Sequence, residues 1–421
     1  MVEKYKSYNI NNFETIPQHP LFDKQMIEDV KIVGDIYPFK TNNYVLNKLI
    51  NWENMPDDPM FRLNFPHRNM LREENYDKLK WGKTNMTKED YADLIQSIRL
   101  ELNPHPAGQS SLNIPFDNGE KIEGIQHKYH NTVLFFPSHG QTCHAYCTFC
   151  FRWPQFIADN DLKFQAKELS PLINYLNANE QITDVLITGG DPMIMNSKIL
   201  ASYLEPLSQV KSLKTIRIGT KSLSFWPHKF LGEADSEGIL NLFKKVIDGG
   251  IHLAIMAHFN HPVELESAEV AEAIHKIKLT GAQIRTQAPL LRHINNDADV
   301  WATMWQKQVE LGCIPYYMFL PRDTGAQQYF AESLDSALSI YRTAIRKVSG
   351  LARTAKGPVM SVTNGKVELL DGQNNEYTLR YLQHRDQDLA YQLFKGVSDS
   401  ESPKWITDLI PLNPSQEIFF K

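Results

Sequence analysis

From about residue 132 to 347, short runs of β-branched and aromatic residues alternate with longer stretches in which apolar positions return every three or four residues. The first pattern fits a strand buried on both faces and the second a helix with one buried stripe. Their alternation predicts repeated βα units around a parallel sheet. Strands are predicted over Thr132–Pro137, Asp184–Thr188, Thr215–Gly219, His252–His258, Gln283–Gln287 and Ile314–Leu320. Helices are predicted over Ala166–Asn179, Ser197–Leu207, Gly238–Asp248, Val263–Leu279, Asp299–Leu311 and Ser333–Val348, the first carrying Leu169, Leu172, Ile173 and Leu176 on one face. Six units fall short of the eight in a closed barrel, so the expected fold is α/β, a partial (βα)6 barrel with function at the carboxyl ends of its strands.

Either side of this region the pattern changes. Residues 1–115 carry helical segments, Glu28–Val33 and Thr87–Leu100, broken by Pro-rich loops, and read as an N-terminal helical lobe. The barrel occupies 116–350. Residues 351–421 form a C-terminal extension in which Asn364-Gly365, within PVMSVTNGKVELLDG, predicts a hairpin, and the chain beyond Gln387 reads as helix plus loop.

Composition narrows the class. The 421 residues are 42% hydrophobic and 22% charged, enough for a buried core and unlike a disordered or collagen-like chain. A net charge of −5 gives no cationic footprint for nucleic acid or a membrane surface. No apolar run reaches the roughly 18 residues of a membrane span, and the first residues lack a basic-then-apolar leader, so the expected compartment is the cytoplasm. Four cysteines are too few for a disulfide framework in a chain of this size, and three of them sit together as Cys143, Cys147 and Cys150, directly after the first predicted strand. Three thiolates can hold three irons of a four-iron cluster and leave the fourth iron open to a small molecule. Zinc completed by His139 or His144, or three buried free thiols, are the other readings of the same residues.

Cys143-x-x-x-Cys147-x-x-Cys150 with Tyr146 before the second cysteine resembles the radical S-adenosylmethionine superfamily, whose core is a partial (βα)6 barrel. The resemblance implies a 4Fe-4S cluster whose open iron chelates S-adenosylmethionine and cleaves it to a 5′-deoxyadenosyl radical, with a flavodoxin or ferredoxin-type reductant as partner. Thr188-Gly189-Gly190-Asp191-Pro192 resembles the superfamily's Gly-Gly-Glu-type motif, which assigns Gly189, Gly190 and Asp191 to the cofactor's methionine ammonium. Read alone, it is a strand-to-helix turn with a capping Asp. His258 and Gln287, at later strand ends, are the other assigned cofactor contacts.

RIGTKS (217–222), HFNHP (258–262), QAPLLRHIN (287–295) and PYY (315–317) resemble the lysine 2,3-aminomutase branch over about residues 120–370. That branch moves an α-amino group to the β-carbon with pyridoxal phosphate as carrier. By resemblance Lys356, followed by Gly-Pro-Val, is the pyridoxal lysine, although Ala352 to Ala355 replace the family's glycines. Arg152 is the holder of the substrate carboxylate. Lys128 and Tyr129 stand where the family binds the cofactor phosphate with two arginines and a tyrosine; Thr132 takes the second arginine's place, and Arg353 is the candidate to assist Lys128. Lysine-specific enzymes pair the distal ammonium with two aspartates, whereas here Arg322, followed by Asp323, and Ser349 occupy those positions. The charge inversion implies a small-molecule amino acid other than free lysine, acidic or neutral, unless Asp323 points inward instead. The branch's C-terminal zinc cysteines are missing, since no cysteine follows Cys313, so no zinc is expected; a homo-oligomer remains an open alternative. Two competing functions stand beside this one. The first is the same radical chemistry without pyridoxal phosphate, and the second is a non-catalytic iron-sulfur or zinc protein.

Overall fold

The computed structural model describes residues 3–103, 112–117, 119–157 and 164–420. Its main sheet has twelve strands that neighbour one another in chain order. They are β1 (Ile125–Tyr129), β2 (Thr132–Phe135), β3 (Asp184–Ile187), β4 (Thr215–Thr220), β5 (His252–His258), β6 (Gln283–Pro289), β7 (Ile314–Phe319), β8 (Lys356–Met360), β9 (Gly365–Gln373), β10 (Glu376–His384), β11 (Leu393–Val397) and β12 (Ile410–Pro411). Strands β2 to β8 run parallel. β1 joins one edge antiparallel, and β9 to β12 continue the other edge as an antiparallel meander.

All six predicted strands are present as β2 to β7, and the fold is the expected α/β partial barrel. The structure adds a seventh parallel strand, β8, so the segment after residue 351 extends the barrel sheet itself. The hairpin expected at Asn364-Gly365 joins β8 to β9. The tail beyond Gln387 departs from expectation: it is strand as well as short helical turn. Along β11, Leu393 and Lys395 face solvent while Phe394 is fully buried against Phe419, a period-two pattern that pairs with β10.

Local chemistry explains the helix boundaries. Asn196, Ser267 and Ser333 each accept a hydrogen bond from a first-turn N–H, starting the helices Ser197–Leu207, Ala268–Leu279 and Leu334–Arg346. The Ser267 cap divides the helix predicted over Val263–Leu279, leaving Pro262–Leu265 as a separate turn. Gly250, Gly281 and Gly312, at φ of +94°, +90° and +80°, turn the chain back into β5, β6 and β7, a backbone conformation that a side chain would strain.

Two cores result. One lies between the outer face of the sheet and its helices, with Val185, Ile216, Ile255 and Ile284 against Leu200, Phe243, Ile274 and Trp305. The other is the aromatic interior of the N-terminal segment, including Phe13, Phe22 and the stacked pair Phe61 and Phe65 (4.7 Å between rings). It continues into Ala145, Trp153, Trp226, Leu291 and Phe330, so the helical lobe is packed over the carboxyl rim of the barrel.

Candidate active site

The cysteine loop leaves β2 and is fastened by backbone groups of the N-terminal lobe. Tyr146 N–H donates to the Lys40 carbonyl (2.8 Å) and Thr148 N–H to that of Leu63 (2.9 Å). Lys40 Nζ donates to the Cys143 carbonyl (2.7 Å) and the Tyr5 hydroxyl to the His144 carbonyl (2.7 Å). Burial raises all three thiols above their ordinary range. Cationic iron reverses that penalty by stabilising thiolate, so the donor set fits a cluster. Of the two histidines weighed as zinc ligands, His144 lines the cavity with Nδ1 at 2.9 Å from Ser222 Oγ, and His139 bonds the Tyr203 hydroxyl.

The Gly-Gly-Asp turn is pressed against this loop. A Cβ on Gly190 would stand 2.6 Å from the Thr142 nitrogen, and one on Gly189, whose φ is +144°, would meet the Gln141 side chain at 2.4 Å. Gly190 is therefore required by close backbone approach and Gly189 by its positive φ. Asp191 is buried, and its oxygens accept from Met193 N–H (2.9 Å), Thr220 Oγ1 (2.7 Å), Lys221 N–H (2.9 Å) and Ser222 Oγ (3.1 Å). With its lone pairs occupied this way, the carboxylate ties the ends of β3 and β4 together.

Below the loop lies a cavity of about 310 Å³. Cys143, Cys147, Cys150, Arg152, Gly189, Gly190, Asp191, His258, Gln287, Arg322 and Tyr129 all line it, so the structure brings together most of the expected site. His258 is held neutral by burial, its Nε2 buried without a partner and its ring edge-on to Phe149. Arg152 lies over Phe136 at 4.3 Å and Phe151 at 5.2 Å, and Arg322 over the same Phe151 ring at 5.4 Å, with Nε unpartnered. Burial lowers the pKa of both guanidinium groups. Arg322 lines the cavity and Asp323 does not.

Other expected residues stand apart. Lys356 is half-buried at the start of β8, paired in register with cavity-lining Tyr317 but not itself in the wall. Arg353 is exposed and donates to the Val348 carbonyl (2.8 Å), so it does not join Lys128; Ser349 is also exposed, outside the cavity. Lys128 is buried just behind the wall with Nζ 3.1 Å from Ser361 Oγ. Thr132 donates its hydroxyl to Asp184 (3.1 Å), which also holds Arg217 by two bonds of 2.9 and 2.6 Å.

Sequence reasoning missed Lys366, which projects from β9 into the cavity. Its signal was the strand alternation: Val367 and Leu369 are buried in the outer core, which places Lys366 and Glu368 on the opposite face. Burial, reinforced by Arg217, brings the ammonium down from 10.5 to about 7. Between those values the unfolded chain binds more protons than the folded one, so the penalty is complete below pH 7 and disappears as pH rises through 10.5. Lys366→Met is therefore expected to raise the melting temperature at pH 6, with a gain that shrinks toward pH 10. A gain independent of pH in thermal melts would contradict this.

A partial parallel barrel whose carboxyl rim carries an open cysteine triad above a cavity is the architecture of an enzyme that binds a small molecule at an iron-sulfur cluster. Residues 132–260, which contain all three cysteines, match the family model described as a 4Fe-4S single cluster domain. The chain is 30% identical over 361 residues to a putative L-lysine 2,3-aminomutase of Aquifex aeolicus, covering 86% of this chain and 84% of that protein. It is 25% identical to L-lysine 2,3-aminomutase of Methanococcus maripaludis (79% and 66% covered) and 31% identical to glutamate 2,3-aminomutase of Clostridioides difficile (50% and 47% covered). Among solved structures, Streptococcus suis SuiB bound to S-adenosylmethionine overlaps with a TM-score of 0.37 at 11% identity, over 63% of this chain and 56% of that one, too distant to carry weight. The chain belongs to the lysine 2,3-aminomutase branch of the radical S-adenosylmethionine superfamily. No helix among the described residues is long and apolar enough to cross a membrane.

Proposed function

We propose that this enzyme is a radical S-adenosylmethionine aminomutase whose substrate is an acidic amino acid and not free lysine. Cys143, Cys147 and Cys150 hold the 4Fe-4S cluster, and the rim formed by Gly189, Gly190, His258 and Gln287 borders the S-adenosylmethionine. The cluster, S-adenosylmethionine and pyridoxal phosphate supply the radical and carbonyl chemistry when bound. The chain's own residues orient the substrate and keep water out. Arg152 takes the α-carboxylate, Arg322 reads the far end, and the lobe packed on the rim shields the cavity.

The observation that carries this reading is the pair of guanidinium groups on one Phe151 ring. Among the described residues Asp191 is the only carboxylate in the lining, and its oxygens are already taken by protein donors. An incoming lysine ammonium about 4 Å from Arg322 would meet roughly 4 kcal/mol of repulsion at an effective dielectric of 20, and a carboxylate would gain a similar attraction. The relative named for glutamate reaches the same percentage identity as the first named for lysine, though over 210 residues against 361, so the charge of the pocket is the discriminating feature.

An anaerobic screen of deuterated amino acids with the reduced, reconstituted enzyme tests this directly. Deuterium is expected in 5′-deoxyadenosine with glutamate or aspartate, and transfer from free lysine alone would refute the proposal. Arg322→Gln is expected to lower kcat/KM for the acidic substrate by about 10- to 100-fold, the value of a charge-assisted hydrogen bond. A variant as active as wild type would remove Arg322 from the substrate site. The position of Lys356 beside the wall, with Arg353 turned outward, favours one second reading, radical chemistry without pyridoxal phosphate. Lys356→Ala separates the two: unchanged activity and pyridoxal absorbance would leave only the second.

A further inference from the structure

The base of the cavity holds more positive charge than the substrate reading uses. Lys128 and Lys366 approach the same Tyr129 ring, their Nζ atoms 5.6 and 4.1 Å from its centroid. Lys128 Nζ has Ser361 Oγ at 3.1 Å, and Lys366 Nζ has Gln383 Oε1 at 2.7 Å. Among the described residues no ion pair joins either ammonium to a carboxylate. The nearest acid, Asp184, is held by Arg217 through both oxygens. Arg322 adds a third cation whose buried Nε lacks a partner. Two desolvated ammoniums without a counter-charge are costly to retain, and the cost is relieved by an anion lying between them.

We propose that Lys128 and Lys366, with the Ser361 hydroxyl, form an anion site that takes the dianion of a phosphate monoester. This deepens the aminomutase reading and rests on it: the monoester there is pyridoxal phosphate. A dianion on one centre matches two cations gathered on one ring, whereas an acidic amino acid carries its two charges on separate carboxylates that Arg152 and Arg322 already address. The second phosphate donor then comes from β9 instead of β2, because Thr132 donates to Asp184 and Arg353 is turned away. Lys366 is a binding residue that reached the cavity from the C-terminal hairpin.

The test is equilibrium binding of pyridoxal phosphate and of pyridoxal to the full-length reconstituted protein, in wild type, Lys366→Gln and Lys366→Arg. Lys366→Gln is expected to weaken pyridoxal phosphate by about tenfold or more, the value of a lost charge-assisted bond, and to leave pyridoxal unchanged. Lys366→Arg should keep most of the affinity, which separates loss of charge from loss of fold. Equal weakening of both ligands, or none of pyridoxal phosphate, overturns the site. So does borohydride trapping of pyridoxal on Lys366, since that would make it the amine bonded to the carbonyl carbon. If wild type ignores pyridoxal phosphate yet binds inorganic phosphate in a manner that Lys366→Gln abolishes, the anion site stands and the pyridoxal reading falls. Binding of neither overturns the site itself.

Discussion

Cys147→Ser is expected to yield a protein that keeps its fold but fails to retain iron on anaerobic reconstitution, shows no cluster absorbance and forms no 5′-deoxyadenosine. In the proposed site the three thiols are the ligands of a cluster with one open iron, so losing one leaves two ligands for four metal atoms. Serine cannot substitute, because an alcohol in this buried loop is far harder to deprotonate than the thiol that burial already holds protonated. The backbone bonds from Tyr146 and Thr148 to the N-terminal lobe do not involve the Cys147 side chain, which is why loss of metal need not unfold the loop. Cys313→Ser is the control. That residue is buried at the entrance to β7, remote from the loop, and its replacement should lower stability slightly without changing iron content. Full iron and sulfide content in Cys147→Ser would refute the triad as the ligand set, and zinc in place of iron in wild type would favour the non-catalytic reading.

The barrel was legible because its parallel strands are covered on both faces and so appear as short apolar runs such as LAIMA within HLAIMAH, while capping residues such as Asn196, Ser267 and Ser333 mark where helices start. The cysteine triad was legible from its spacing. What escaped had a weak local signature or none. The lobe's grip on the cysteine loop joins main-chain carbonyls of Lys40 and Leu63, which any residue could supply, to side chains of Tyr5, Lys40 and Asn42 that are about a hundred residues or more away in sequence. Lys366 sits one residue past a turn, where a lysine is ordinarily solvated, and only its partners across the barrel, Tyr129 and Tyr317, bring it inward. Lys356, by contrast, carried a motif match yet stands beside the cavity wall. The tail strands were hidden because β11 and β12 leave Leu393 and Ile410 exposed, so their periodicity is visible only beside β10.

The segment RIGTKS and the turn that follows HFNHP meet in a buried ion pair, and breaking it should give the largest loss of stability in the molecule. Lys221 Nζ lies 2.5 Å from Glu264 Oε1, and the fully buried Glu264 also accepts from the Ser224 hydroxyl and from the N–H groups of Asn260 and His261. Lys221 is completed by the Asn260 side chain at 2.9 Å and the face of Phe225 at 4.5 Å. Glu264→Ala would leave the Lys221 ammonium without a counter-charge and two main-chain donors without this acceptor in the protein interior. Removing one member of such a pair costs about 3 to 5 kcal/mol. Lys221→Met combined with Glu264→Leu removes both charges together, and it should cost less than Glu264→Ala alone, since the penalty is that of the stranded cation more than of the lost attraction. Chemical denaturation of the three proteins measures this. A Glu264→Ala cost below about 1 kcal/mol, the range of an exposed pair, would show that the cluster is solvated. Lys221 also borders the cavity beside the cysteine loop, so the same substitution should lower iron retention, linking the strand-end network that orders the rim to the metal it surrounds.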